Sequence, residues 1–531
     1  MMHIPKSLRD AFHILPNIFC THGGFVCEKI CNLAHCVKLI KHPTPDTMLH
    51  TIMLNISLLE WLYIGILLAY LCTVFSIIWV VISENRNPVR SLAWITVLLM
   101  VPIFGVVLYT FFGRSLKSKI TLKQRLRRLG AQEMSAIEVK NSNAEPLAST
   151  QQIIHLAENM CRAYYSKGNK VDIFTDGHTK FEVLKRDLLQ ARKYINMQYY
   201  IFEDDEIGRE IKNILIGKAR EGVKVRVIYD DVGSFKVKRR FFAEMRRGGV
   251  LAFPFMRITF PQFAQRVNWR NHRKILIIDG RYGYIGGMNI ADRYIKGCSW
   301  GDQGVWRDTH LRITGPAIES LQRSFAFDWN FMNKGMLNDP IELFNDMPGD
   351  AGVQLVTSGP TSEWNNIALM MLQAIGSAKH CIYLQTPYFL PTEALLKALQ
   401  TAALSGVDVR LMMPRRSDSA MLRHASYSYV SECLKAGIKV YLYTAGMLHS
   451  KVLIIDNELS SVGSTNFDFR SFEHNYEANL FIYSADTNAR LKQIFHDDIK
   501  HSTQCDISQW MARPTAERMG DSLVRLFSPI L

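Results

Sequence analysis

Two stretches of this chain are built on one plan. NHRKILIIDG at 271–280 carries His272, Lys274 and Asp279 around the apolar run Ile275 to Ile278, and LHSKVLIIDN at 448–457 carries His449, Lys451 and Asp456 around Val452 to Ile455. After six intervening residues, each aspartate is followed by a turn of small residues ending in asparagine, Gly286-Gly287-Met288-Asn289 and Gly463-Ser464-Thr465-Asn466. The surroundings repeat as well. Gln198 matches Gln385, Gly222-Val223 matches Gly406-Val407, and His272 matches His449, at offsets of 187, 184 and 177 that drift with loop length. One such motif arises by chance on a surface strand; two, in register, do not. From about residue 151 the pattern alternates helix and strand: FEVLKRDLLQARKYINMQYYIF reads as amphipathic helix then strand, and IALMMLQAIGSAKHCIYLQTPYF repeats it. The chain is therefore expected to fold one α/β unit twice, over 151–340 and 341–531.

Residues two apart on a strand face the same side, so each histidine is expected to share a face with its lysine, and the apolar continuation anchors both. The small residues of the turn would let backbone approach a ligand, and each asparagine offers an amide donor. These groups suit a phosphodiester, whose anionic oxygens repel an anionic nucleophile. A neutral imidazole avoids that repulsion, while two lysines and two asparagines stabilise charge on the phosphoryl oxygens. A second imidazole, protonated, can donate to the departing alkoxide and later take a proton from an incoming alcohol. Either histidine can fill either role.

With both copies in place, the sequence resembles the phospholipase D superfamily, whose signature H-x-K-x4-D-x6-G-[GS]-x-N occurs once per half. The resemblance covers nearly all of 151–531. GGMNIADRY, WRDTHLRITGP at 306–316, QTPYFLP at 385–391 and STNFDFRSFEHNYEANL at 464–480 are similar to the bacterial cardiolipin synthases within that superfamily. It implies tandem duplicated phospholipase D-like α/β sandwich domains with pseudo-twofold symmetry, both motifs meeting in one site. It also implies that Asp308 orients His272, that Glu477 orients His449, and that His272 is the nucleophile and His449 the acid and base. Asp279 and Asp456 belong to the signature but lie outside the phosphate contact, where structural ion pairs are expected of them.

Ahead of the duplication, Trp61 to Ile82 contains no charged residue, and neither does Leu92 to Phe112. Each is about the length that crosses a bilayer core, and the polar SENRNPVR between them makes a transmembrane hairpin over 56–113, preceded by an extension at 1–55. Arg114, Lys117, Lys119, Lys123, Arg125, Arg127 and Arg128 then open a basic linker at 114–150, which by the positive-inside rule keeps the larger C-terminal part in the cytoplasm. The net charge of +15 suits an anionic partner, whether membrane, nucleic acid or phosphorylated substrate. Cys20, Cys27, Cys31 and Cys36, near His22 and His35, lack the paired spacing of a zinc site; the remaining cysteines are scattered, as in a reducing compartment.

The resemblance implies a phosphatidyltransferase of the bacterial inner membrane that joins two phosphatidylglycerol molecules into cardiolipin and glycerol. No metal or other cofactor is expected, and no nucleic acid partner. Rival readings are a phospholipase D passing the same intermediate to water, a membrane-tethered nuclease, and a lipid-binding scaffold. Intact motifs in both halves argue against the last.

Overall fold

The computed structural model describes residues 58–83, 88–101, 104–109, 150–257, 269–297, 304–332, 337 and 348–528. The N-terminal extension with its cysteine group and the basic linker lie outside the described residues. The chain divides into two compact units, Met1–Tyr109 and Thr110–Leu531.

In the first unit a 26-residue helix runs over Leu58–Ser83. Its stretch Glu60–Trp79 is, among the described residues, the one helix long and apolar enough to cross a membrane. Of the second apolar run, expected to span 92–112, residues 102–103 and 110–112 lie outside the described residues. The run forms a helix over Pro88–Met100, a bend at Val101 and a short helix over Phe104–Leu108. The Leu98 carbonyl, to which a proline four residues on can offer no N–H, accepts the Tyr70 hydroxyl of the first helix at 3.1 Å. Leu98 packs with Val74, Val81 and Tyr109 between the helices, and the helical bonding resumes with Gly105 N–H on the Val101 carbonyl.

The second unit is organised by one twisted sheet. The first half supplies β1 (Ser166–Phe174), β2 (Tyr194–Tyr199), β3 (Lys224–Tyr229), β4 (Leu251–Pro254), β5 (Ile275–Ile278), β6 (Tyr282–Gly286) and β7 (His310–Thr314). The second supplies β8 (Ala351–Ser358), β9 (Cys381–Gln385), β10 (Phe389–Leu390), β11 (Asp408–Pro414), β12 (Lys439–Tyr443), β13 (Val452–Ile455), β14 (Leu459–Gly463), β15 (Phe467–Asp468), β16 (Glu477–Tyr483) and β17 (Ser502–Gln504). Fifteen of them order as β17-β12-β11-β9-β13-β14-β16-β8-β1-β7-β6-β5-β2-β3-β4, and β10 pairs separately with β15. The expected duplication is thus present, but the two half-sheets join edge to edge at the antiparallel β1–β8 seam.

Both faces of each half-sheet are buried. Along β5, Ile275 and Ile277 enter a core shared by the two halves, which includes Phe325 and Trp329 of one and Leu491 and Phe495 of the other. Leu276 and Ile278 enter the outer helical core of the first half. On β13, Val452 and Ile454 turn to the shared core, and Leu453 and Ile455 to the outer core of the second half. A strand covered on both sides needs apolar residues at every position, which is why ILII and VLII show no alternation.

Asp279 and Asp456 end β5 and β13 in left-handed conformations, with φ of 52° and 46°. Ion pairs were expected of them; among the described residues both carboxylates are met by backbone N–H groups. The Asp279 carboxylate accepts the N–H groups of Arg192, Lys193 and Tyr194 at 2.7–2.8 Å, and Asp456 accepts those of Lys379, His380 and Cys381 at 2.7–2.9 Å. Three donors at the start of a neighbouring strand converge on one carboxylate, which needs no cation to be satisfied. Asp279→Ala and Asp456→Ala are each expected to destabilise the folded unit by about 2–3 kcal/mol, the order of a charge-assisted hydrogen-bond set at a partly exposed site. Denaturant unfolding of the solubilised protein reads this, with Asn at the same position recovering only part.

Candidate active site

The paired motifs come together at one end of the sheet. β2 runs parallel to β3 and antiparallel to β5, so the approach to β5 meets the C-terminal ends of β2 and β3; there the Asn271 N–H reaches Asp230 Oδ2 at 3.0 Å. In the second half, β9, β11 and β13 are arranged alike.

The histidines and lysines precede their strands rather than lying on them, since β5 begins at Ile275 and β13 at Val452. Their backbones pair with the opposite half instead. His272 N–H donates to the Tyr476 carbonyl at 2.9 Å and Tyr476 N–H to that of Arg270 at 2.8 Å; His449 N–H donates to the Arg307 carbonyl at 2.7 Å and Arg307 N–H to that of Met447 at 2.9 Å. Each crossing places a carboxylate beside an imidazole. Residue 477 follows Tyr476, and residue 308 follows Arg307.

This corrects the pairing implied by resemblance. His272 Nδ1 lies 2.9 and 3.1 Å from the two Glu477 oxygens, and His449 Nδ1 lies 2.6 Å from Asp308 Oδ2. Asp308 and Glu477 do meet the two rings, but each serves the histidine of the other half. Bonding at Nδ1 leaves Nε2 as the ring nitrogen for chemistry. Tyr200 packs edge-on against His272 at 4.8 Å, and Trp306 lies 4.9 Å from His449.

The small residues of the GG and GS turns, expected to let backbone approach a ligand, stand close against these carboxylates. A Cβ on Gly287 would collide with the Asp308 carboxylate, and one on Gly286 with His310. In the second copy the Ser464 hydroxyl donates to Glu477 Oε2, which also takes Asn475 Nδ2 on Oε1 at 3.2 Å. The asparagines diverge. Asn289 is committed to protein through the Ile201 N–H at 3.1 Å and the Tyr294 hydroxyl at 3.2 Å, whereas Asn466 Oδ1 is buried with no hydrogen-bond partner among the described residues.

Lys274 and Lys451 are buried, and each donates to the carbonyl of its own histidine. Lys451 Nζ also stands 3.8 Å from Asp308 Oδ2. Burial lowers Lys274 to about 7 and Lys451 to about 8, against the pull of the two carboxylates. Burial likewise lowers both histidines to about 4; Glu477 opposes this at His272, and at His449 Lys451 reinforces it while Asp308 opposes. For Asp308 and Glu477 burial pushes upward, but the neighbouring histidines and lysines prevail and hold both below the usual carboxylate range.

Sequence reasoning assigned no role to two buried clusters that hold this arrangement. Arg273, inside the first motif, donates to Asp328 at 2.7 Å and crosses to the carbonyls of Glu477 and Ser358. Arg307 grips Asp498 at 2.7 and 3.1 Å and reaches Ser450 at 2.9 Å. Gln198 and Gln385 complete the sets, donating to Asp328 and Asp498 at 2.5 and 2.7 Å. The correspondence of the two glutamines was the available signal.

A family profile described as the phospholipase D-like domain of cardiolipin synthase matches residues 184–306 and 371–499, and one described as phospholipase D-nuclease N-terminal matches 71–114. The chain is 39% identical over 469 residues to a cardiolipin synthase of Geobacillus kaustophilus, spanning 87% of this chain and 92% of the relative. It is 38% identical over 477 residues to the major cardiolipin synthase ClsA of Bacillus subtilis, spanning 87% and 98%. A crystal structure of phosphatidylserine synthase from Haemophilus influenzae shares the fold at a TM-score of 0.56 and 14% identity, covering 71% of this chain and 99% of that one. With two copies of the motif in one site and relatives matched over nearly their whole length, the chain belongs to the phospholipase D-like cardiolipin synthases.

Proposed function

We propose that the chain joins two phosphatidylglycerol molecules into cardiolipin and glycerol through a phosphatidyl-histidine. The observation that carries the reading is the pair of crossed imidazole–carboxylate contacts, which leaves two Nε2 atoms for one phosphate. His272 Nε2 attacks the phosphorus of the first lipid. As the bond from phosphorus to the terminal glycerol oxygen breaks, His449 gives that oxygen its proton and glycerol leaves. The hydroxyl of a second phosphatidylglycerol then loses its proton to His449 while its oxygen attacks phosphorus. The phosphorus–nitrogen bond breaks, freeing His272 and cardiolipin. The two lysines would receive the phosphoryl oxygens, with the Asn466 amide Nδ2–H as a further donor if it turns from Asp468.

Charge balance supports this sequence. Two lysinium ions and two carboxylates sum to zero when both histidines are neutral, so an arriving phosphodiester anion makes the site negative and draws in one proton. That proton supplies the acid. The apolar N-terminal helices would cross the inner membrane as a multi-pass anchor, with the catalytic unit on the cytoplasmic side, holding the site where lipid hydroxyls are concentrated and water is scarce.

Purified protein incubated with phosphatidylglycerol vesicles and EDTA is expected to yield cardiolipin and glycerol. Phosphatidic acid in their place would mean hydrolysis, and inert lipid with cleavage of added DNA would mean a nuclease. His272→Ala and His449→Ala should each lower turnover by about 10²-fold or more. The crossing itself is testable in His449→Ala with a phosphatidyl ester of nitrophenol, whose leaving group needs no acid. A nitrophenolate burst should persist, Glu477→Gln should suppress it, and Asp308→Asn should spare it; the opposite pattern would restore pairing within halves. The lysines must be protonated to receive the anion, and they lose that proton as pH rises through about 7 to 8. The kcat/KM profile should therefore fall in that interval, well before an exposed lysine titrates, whereas a plateau to pH 9.5 would contradict the role.

A further inference from the structure

The helix over Thr515–Arg525 is amphipathic in the reverse sense to a helix packed on a core. At 100° per residue, Met519, Leu523, Leu526 and Phe527 fall within an arc of about 100°, opposite the inward-facing Asp521, Val524 and Ser528. The outward residues are open to solvent, Met519 at 67%, Leu523 at 61% and Leu526 at 74%. The inward face is attached by polar contacts. Asp521 is buried and takes His424 Nδ1 at 2.7 Å and Arg513 at 2.9 Å, while Val524 packs on the outer core of the first half. An apolar stripe that contributes nothing to the core, on a helix held by an ion pair, is built to face something else.

Its place identifies the occupant. His424 lies on the helix Ala420–Tyr427, which follows the C-terminal end of β11 at the active-site end of the sheet. Just before that helix, Asp418 accepts the Tyr388 hydroxyl at 2.7 Å and is felt electrostatically by His449. Exposed aromatic residues leave the same end of the sheet: Phe235 beyond β3, and Trp364 beyond β8, whose Ser358 pairs with Glu477. An exposed Arg518 rims the stripe, and the whole chain carries +15. Apolar side chains with an exposed arginine beside them, on a chain of net positive charge, match an anionic bilayer surface.

We infer that Thr515–Arg525 is a lipid-docking helix that inserts Met519, Leu523, Leu526 and Phe527 into the headgroup boundary of anionic membrane and presents the active-site mouth to its substrate. This goes beyond the proposed reaction, and its principal test does not depend on turnover.

The full chain, reconstituted in phosphatidylglycerol vesicles, would carry the photo-reactive p-benzoylphenylalanine in place of Met519, Leu523 or Leu526, with Glu517, exposed on another side of the helix, as control. Illumination is expected to give lipid adducts at the three stripe positions and not at 517. Adducts joining two chains would overturn the inference in favour of self-association, and no adduct at any stripe position would overturn it outright. Separately, Leu523→Asp combined with Leu526→Asp should raise the KM for vesicle phosphatidylglycerol about tenfold or more, through lost apolar burial, while leaving turnover of detergent-dispersed short-chain phosphatidylglycerol unchanged. Equal loss on both substrates would also overturn it.

Discussion

Everything at the active site depends on an exchange of carboxylates between the two halves. Glu477 holds His272, Asp308 holds His449, and the main chains on either side of these contacts are hydrogen-bonded across the same divide. A buried imidazole without its carboxylate has no fixed tautomer, and a buried carboxylate without its imidazole loses a major part of what offsets its desolvation. Neither half therefore contains a finished site. The continuous sheet, the shared core and the Arg273 and Arg307 clusters all hold the two halves in the one register that closes both contacts.

The charge arrangement follows from the same exchange. Two buried lysines and two buried carboxylates surround two buried rings, where each interaction is stronger than it would be in solvent. Burial lowers both lysines, and the two carboxylates oppose that shift.

Much of this was legible in the residues. The duplicated motif announced two copies of one α/β unit, and the uninterrupted ILII and VLII runs marked strands buried on both faces. The residues that gather at the site, His272, Lys274, His449, Lys451, Asp308 and Glu477, all stood out in the sequence. What it did not disclose was partnership. The resemblance implied pairing within a half, but the approach to β7 lies beside the approach to β13, a neighbourhood set by sheet order and invisible in spacing. The glycines at 286 and 287 signalled close approach without saying of what, and the structure supplies the Asp308 and His310 side chains. Asp279 and Asp456 were expected in structural roles outside the phosphate contact, and their left-handed turns carry them to the far end of the strands, onto backbone amides.

The seam between β1 and β8 joins what is, in effect, a dimer written into a single polypeptide. Because each half lends the other an acid, a change to either carboxylate acts on the histidine of the opposite half. The loops differ in length between the halves, while the spacing from histidine to asparagine is identical in both. Covalent linkage keeps the lender beside the borrower, whereas two separate chains would first have to associate.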